Sequence, residues 1–142
     1  MKTIIALRGK KQTGKTSTIR KLYELLLKNK YAQIRCDLNR KGGEITAVLK
    51  KNGVFIGLAS KGDSYITVHD NLQELIENNC TICVCTCKSF DRFQKGTHAA
   101  VFEFEEYNHQ FIEKDIDNIV LNFEDTNTKQ AKEIFSIIES LL

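Results

Sequence analysis

The segment from Gly9 to Thr16 reads Gly-Lys-Lys-Gln-Thr-Gly-Lys-Thr, and it constrains the fold more than any other part of this sequence. It follows the apolar run Thr3–Leu7, which is typical of a parallel strand covered on both faces. After it, apolar residues recur at helical spacing: Ile19, Leu22, Tyr23 and Leu26. This spacing predicts a helix from about Gly14 to Asn29. A buried strand that leads through a glycine-bearing loop into a helix indicates an α/β fold.

The segment matches the pattern G-x-x-x-x-G-K-[ST] in full, and here the chain resembles the P-loop NTPase superfamily. In that pattern the glycines let main-chain N–H groups turn inward towards phosphate oxygens, and the helix N-terminus adds a partial positive charge. The resemblance implies that Lys15 reaches the β- and γ-phosphates of a nucleoside triphosphate and that the Thr16 hydroxyl binds Mg²⁺. The candidate nucleotide-binding residues are Gly9, Lys10, Lys11, Gln12, Thr13, Gly14, Lys15, Thr16 and Ser17.

P-loop proteins have a second motif, which supplies an acidic residue, and this motif is less complete in this sequence. Such proteins usually carry an aspartate at the end of a second central strand. The segment Val54–Ala59 is the right kind of strand, but Ser-Lys-Gly separates it from Asp63. We predict that Asp63 contacts the metal ion or orients a water molecule, with an ordinary turn aspartate as the alternative. Asp37, at the end of an alternating segment, is the rival acid.

The polar segment Lys88–Gly96 follows a predicted central strand, at the edge of the sheet where α/β proteins bind ligands. Arg92 or Lys95 in this segment is a candidate to fold over the nucleotide and stabilise charge on a transferring phosphoryl group. A solvated loop is the equal alternative. The sequence contains no Asn/Thr-Lys-x-Asp motif for reading guanine, so ATP is predicted in preference to GTP.

A hairpin is predicted in the middle of the chain. Asn52-Gly53 separates the apolar runs Ile45–Leu49 and Val54–Ala59, and Asn-Gly suits a type I′ turn because both central residues need a positive φ. Before this hairpin, Tyr31–Asp37 alternates and predicts a strand covered on one face. The fold therefore combines a mostly parallel sheet with an antiparallel hairpin at about residues 45–59.

The second half of the sequence alternates helical and strand patterns. The predicted helices are Asp70–Asn79, Ala99–Asn108 and a last helix with Asp125, Thr126 and Thr128 as candidate N-caps. The predicted strands are Cys80–Cys87, Gln110–Glu113 and Asn118–Phe123. This order predicts a three-layer α/β architecture. We expect residues 1–142 to form one domain, because no linker or repeat interrupts them.

Four of the five cysteines cluster in Cys80-Thr-Ile-Cys-Val-Cys-Thr-Cys87. On a strand, alternate side chains lie about 6.6 Å apart on one face. Thiolates bound to one zinc ion, at about 2.3 Å each, come much closer together. We therefore predict that these cysteines pack in the core as small apolar residues. Redox sensitivity and metal binding are the less favoured alternatives.

The charge is distributed unevenly along the chain. The first 61 residues carry 15 Lys and Arg against 3 Asp and Glu, and the remainder carries 6 against 15. This asymmetry indicates either two solvated faces or a positive pole that attracts polyphosphate or nucleic acid. No apolar run approaches the roughly 20 residues that span a bilayer. The expected location is cytoplasmic, with no membrane partner.

The sequence leaves three classes of function open. The first is Mg²⁺-dependent binding of a nucleoside triphosphate with hydrolysis or phosphoryl transfer, carried out by Lys15, Thr16, Asp63 and Arg92. A small nucleotide kinase belongs to this class, although no acceptor-binding motif is recognisable. The second is a non-catalytic nucleotide sensor that controls a protein partner. The third is nucleic-acid binding through the basic half, without a recognisable reader motif.

Overall fold

The strands and helices follow one another in the predicted order. The computed structural model describes residues 2–10, 13–38, 43–89, 96–115 and 123–142. The elements in these residues are β1 (Thr3–Arg8), α1 (Lys15–Lys28), β2 (Ala32–Leu38), β3 (Ile45–Lys51), β4 (Val54–Ala59), α2 (Tyr65–Glu77), β5 (Cys80–Cys87), α3 (Thr97–Phe102), β6 (Asn108–Glu113) and α4 (Phe123–Leu141). None of these helices combines the length and the hydrophobicity needed to cross a bilayer.

The six described strands form one mixed, mostly parallel sheet in the order β2-β3-β4-β5-β1-β6. β1 lies parallel to β5 and β6, and β4 lies parallel to β5. β3 runs antiparallel to both of its neighbours, β2 and β4. The last residues of the other strands and the first residue of β3 therefore meet at one edge, which we call the carboxyl edge. Ligands of open α/β sheets bind at this edge.

Helices cover both faces of the sheet and give the predicted three layers. α1 and α4 pack on one face, where the buried side chains include Ile5, Ile19, Leu22, Ile134 and Ile138. α2 and α3 pack on the other face, where they include Ile4, Leu72, Leu75, Ala100 and Val101. The strands between the layers are apolar on both sides because both faces are covered.

The cysteine-rich strand and the hairpin are confirmed. β5 is buried along most of its length, and all five cysteines are free thiols. Burial raises the pKa of Cys80 to about 12 and also raises that of Cys83. In the hairpin, Asn52 has φ 53° and Gly53 has φ 78°, as a type I′ turn requires.

Two predicted helix boundaries are wrong. α2 begins at Tyr65 and not at Asp70, because the Ser64 side chain accepts a hydrogen bond from the Thr67 amide and caps the helix there. The predicted helix Ala99–Asn108 is instead the short α3, Thr97–Phe102. The chain then turns and enters β6 at Asn108, so the predicted strand Gln110–Glu113 is confirmed and is two residues longer.

Two further expectations need correction. β2 is an edge strand, and on the face that was predicted to be covered Ala32 and Ile34 are exposed, whereas Cys36 is half-buried and packs against the core. Only part of that face is therefore covered. α4 begins at Phe123, so the candidate N-caps Asp125, Thr126 and Thr128 lie inside the helix, where the Thr128 hydroxyl donates to the Glu124 carbonyl at 2.8 Å. Residues 118–122 of the predicted strand Asn118–Phe123 lie outside the described residues, and Phe123 is helical.

Candidate functional site

The loop between β1 and α1 lies at the carboxyl edge. β1 ends at Arg8, and the N-cap of α1 is Gly14, whose φ is 92° and which offers no side chain to cap the helix. The first turn of α1 contains no acidic residue. Among the described residues no side chain caps the N–H groups of this turn, and the helix dipole favours an anion beside them. Within the loop, the Thr13 hydroxyl donates to the Lys10 carbonyl at 2.8 Å.

Neighbouring side chains leave no space for a side chain at either glycine of the pattern. A Cβ on Gly14 would lie 2.7 Å from Oδ1 of Asn127, a residue of α4 that is 3% exposed. The same Asn127 oxygen accepts a hydrogen bond from the Thr18 hydroxyl at 3.2 Å. A Cβ on Gly9 would lie 2.9 Å from Cβ of Lys114, just beyond β6. The loop is thus supported by α4 and by the end of β6.

The ammonium of Lys15 lies over the ends of two adjacent strands. Nζ donates hydrogen bonds to the Gly9 carbonyl at 2.5 Å and to the Cys87 carbonyl at 2.9 Å. An ammonium has three N–H donors, so the contacts within the described residues leave one of them for an anion. Burial lowers the pKa of Lys15, whereas Cys87 and Asp63 act in the opposite sense. The charge of Lys88 adds to the lowering of this pKa.

A carboxylate that sequence reasoning did not single out, Glu44, lies beside Thr16. The Glu44 Oε atoms are 3.4 and 3.5 Å from Oγ1 of Thr16, and Oε2 accepts a hydrogen bond from the Ser60 hydroxyl at 2.6 Å. Ser60 is 3% exposed, and its Oγ also accepts from the Ile45 amide at 2.8 Å. Glu44 precedes β3 and Ser60 follows β4, so the hairpin brings both of them to the carboxyl edge.

Asp63 lies in the loop that follows Ser60, and its side chain is exposed. The backbone at Gly62 packs closely against β5, because a Cβ on Gly62 would lie 2.2 Å from the Thr86 carbonyl oxygen. The Thr86 hydroxyl in turn donates to the Ser60 carbonyl at 2.6 Å. The charge of Asp63 reaches Lys15, as the effect on the pKa of Lys15 indicates.

The other candidates are placed less centrally or are not described. Lys10 and Ser17 are exposed. Asp37 accepts hydrogen bonds from Arg35 at 3.0 and 3.1 Å, and Arg35 also pairs with Glu74 of α2. Asp37 is therefore part of a surface ion-pair network. The candidates that lie outside the described residues are Lys11, Gln12, Arg92 and Lys95.

The comparisons with known proteins assign no family. No model of a protein family, no curated protein and no solved structure matches this chain. In the part of the chain that the structure describes, no three His, Cys, Asp or Glu side chains form a metal-binding group. A divalent ion beside Thr16 would therefore need hydroxyl, water and ligand oxygens in addition to a carboxylate.

Proposed function

We propose that this chain binds the Mg²⁺ complex of a nucleoside triphosphate, with ATP as the expected nucleotide, in a fold of the P-loop NTPase type. The observation that carries the proposal is the pairing of an uncapped helix N-terminus with the Lys15 ammonium. Gly14 offers no side chain to the first-turn amides of α1, and among the described residues Lys15 has two carbonyl contacts, which leave one of its three donors. Both features favour an anion with several oxygens.

Each part of the site has a distinct role in this proposal. The loop amides bind the β- and γ-phosphates, and Lys15 adds a full positive charge. Two unit charges 4 Å apart interact by about 4 kcal/mol at an effective dielectric constant of 20. The Thr16 hydroxyl supplies a hard oxygen ligand for Mg²⁺, which neutralises phosphate charge when it is bound.

The proposed activity is hydrolysis of the nucleotide or transfer of its terminal phosphoryl group. Catalysis of this kind depends mostly on positioning and on electrostatic stabilisation, and the loop and Lys15 provide both. Asp63, whose charge reaches Lys15, and Arg92 remain the sequence-based candidates for assisting the reaction. A nucleotide sensor that does not hydrolyse its ligand uses the same binding site and differs only in turnover.

Isothermal titration of ATP, GTP and ADP with Mg²⁺ tests the proposal. We expect Lys15→Ala to weaken triphosphate binding at least tenfold, since about 1.4 kcal/mol corresponds to a factor of ten. Lys28→Ala is the matched control, because it removes the same charge from the last turn of the same helix. With a rise of about 1.5 Å per residue, Lys28 lies roughly 20 Å from Lys15, beyond the Debye length of about 8 Å. We expect this control to change affinity by less than about twofold.

The outcomes separate the hypotheses. Wild-type protein that binds none of the three nucleotides, or equal losses in Lys15→Ala and Lys28→Ala, would overturn the proposal. Tight binding with release of ADP no faster than in buffer would identify a sensor. ADP formation that rises when a candidate phosphate acceptor is added would identify a kinase.

A further inference from the structure

The carboxyl end of β4 is where a P-loop protein is expected to present a metal-binding acid, and in this chain that position holds Ser60. Its hydroxyl oxygen accepts a hydrogen bond from the Ile45 amide, and its hydroxyl group donates a hydrogen bond to Glu44. Ser60 is almost fully buried. The serine therefore does not replace the acid chemically, but it binds the carboxylate of Glu44, which directly precedes the other strand of the hairpin.

Glu44 is held from a second side through the main chain. Nη1 of Arg20, one turn beyond Thr16 on α1, donates to the carbonyl of Gly43 at 2.8 Å. Gly43 has φ 68°, a left-handed conformation that suits glycine. The Arg20 contact fixes the residue before Glu44 relative to the same helix that carries Thr16. A carboxylate held by Ser60 and by α1 is ordered before any ligand arrives.

The spacing between Thr16 and Glu44 suits a shared divalent ion. Mg²⁺ binds oxygen at about 2.1 Å in octahedral geometry, so two adjacent ligands lie about 3 Å apart and two opposite ones about 4.2 Å. The Thr16 and Glu44 oxygens are 3.4 and 3.5 Å apart. This separation is long for a hydrogen bond, and it needs to change by only a few tenths of an ångström to suit adjacent ligands.

We infer that Glu44, oriented by Ser60, is the carboxylate that binds the divalent ion of the bound triphosphate together with Thr16. This inference rests on the proposed function and names the acid that the metal site uses in preference to Asp63. Ser60 and Arg20 are positioning residues, because they act on the metal only through Glu44. Asp63 lies in the loop after Ser60 with its side chain exposed, and its charge raises the pKa of Lys15.

The increment in ATP affinity that Mg²⁺ produces tests the inference. ATP affinity is measured by titration calorimetry in EDTA and in excess Mg²⁺, for wild type and for Glu44→Gln. Glutamine keeps an oxygen that accepts from Ser60 but removes the charge. We expect Glu44→Gln to lose about tenfold or more of the Mg²⁺-dependent increment, and to keep or slightly raise the affinity in EDTA. Ser60→Ala should lose part of the increment, since it removes the hydrogen bond that orients Glu44 but leaves the negative charge of Glu44 in place.

Two further variants complete the design. Glu24→Gln removes an exposed carboxylate from α1 and should leave the increment unchanged. Asp63→Asn tests the rival acid. An increment that survives in Glu44→Gln, or that is lost in Asp63→Asn alone, overturns the inference and leaves the proposed function standing. Wild-type protein that binds ATP in neither condition overturns the proposed function itself.

Discussion

Replacing Gly14 by alanine places a methyl group against Asn127 at a closely packed point of the loop. The φ of 92° at Gly14 costs a residue with a Cβ about 1–2 kcal/mol. The new Cβ would lie 2.7 and 2.9 Å from the Asn127 side-chain oxygen and nitrogen, so Asn127 must move and loosen its hydrogen bond from Thr18. That displacement adds about 1–2 kcal/mol. We expect Gly14→Ala to reduce the free energy of unfolding by about 2–4 kcal/mol in total.

Gly53 provides the matched control for backbone strain. It also has a positive φ, 78°, but a Cβ there would meet nothing within 4 Å. Gly53→Ala should therefore cost only the strain, about 1–2 kcal/mol. Urea denaturation followed by circular dichroism measures both variants, and Gly14→Ala is repeated in an Asn127→Ala background. Equal costs for the two glycines, or a Gly14→Ala cost that Asn127→Ala does not reduce, would refute the packing argument.

Tyr107 and Cys36 allow two other tests. The Tyr107 hydroxyl donates to the Cys80 carbonyl at 2.6 Å, and burial raises the pKa of Tyr107 to about 12. The fold therefore favours the neutral phenol, and its contribution to stability is complete below the unfolded pKa of about 10 and is lost as the pH rises towards 12. Tyr107→Phe should reduce the free energy of unfolding by about 1 kcal/mol at neutral pH. It should also reduce the loss of stability above pH 10, and denaturation at several pH values will measure both effects. Cys36 is partly exposed and the other thiols are buried, so a disulfide reagent should react quickly with one thiol. Cys36→Ser should abolish this fast reaction. A second thiol that reacts equally fast would contradict the assignment.

The sequence predicted the features whose causes are local. Gly14 and the Asn52-Gly53 turn both have a positive φ, which few residues adopt, so the residue types indicate the local structure. The buried strand Cys80–Cys87 was predictable because a short run of mostly apolar residues is typical of a covered strand. These signals lie within about ten residues of the feature that they specify.

The boundaries that were missed depend on competition between weak preferences. The first turn of α2 contains the β-branched residues Ile66, Thr67 and Val68, which have modest helix propensity, so the apolar stripe suggested a later start. The cap at Ser64 decides the boundary, and a single serine is a weak signal when several polar residues surround it. Similarly, the short α3 gives way to β6 because pairing with β1 stabilises the strand, and that partner lies about 100 residues away in the chain.

Glu44 was not found from the sequence because its relation to Thr16 is a consequence of strand register. The Asn-Gly turn fixes that register, since Lys51 pairs with Val54 and, further from the turn, Thr46 pairs with Ala59. The next pair in the ladder is Ile45 with Ser60, which the hydrogen bond from the Ser60 amide to the Ile45 carbonyl at 2.9 Å confirms. Because the turn has two residues, the residue before Ile45, which is Glu44, must lie beside the carboxyl end of β4. Counting outward from the turn assigns an acid to this edge even when a serine, and no acid, follows the neighbouring strand β4.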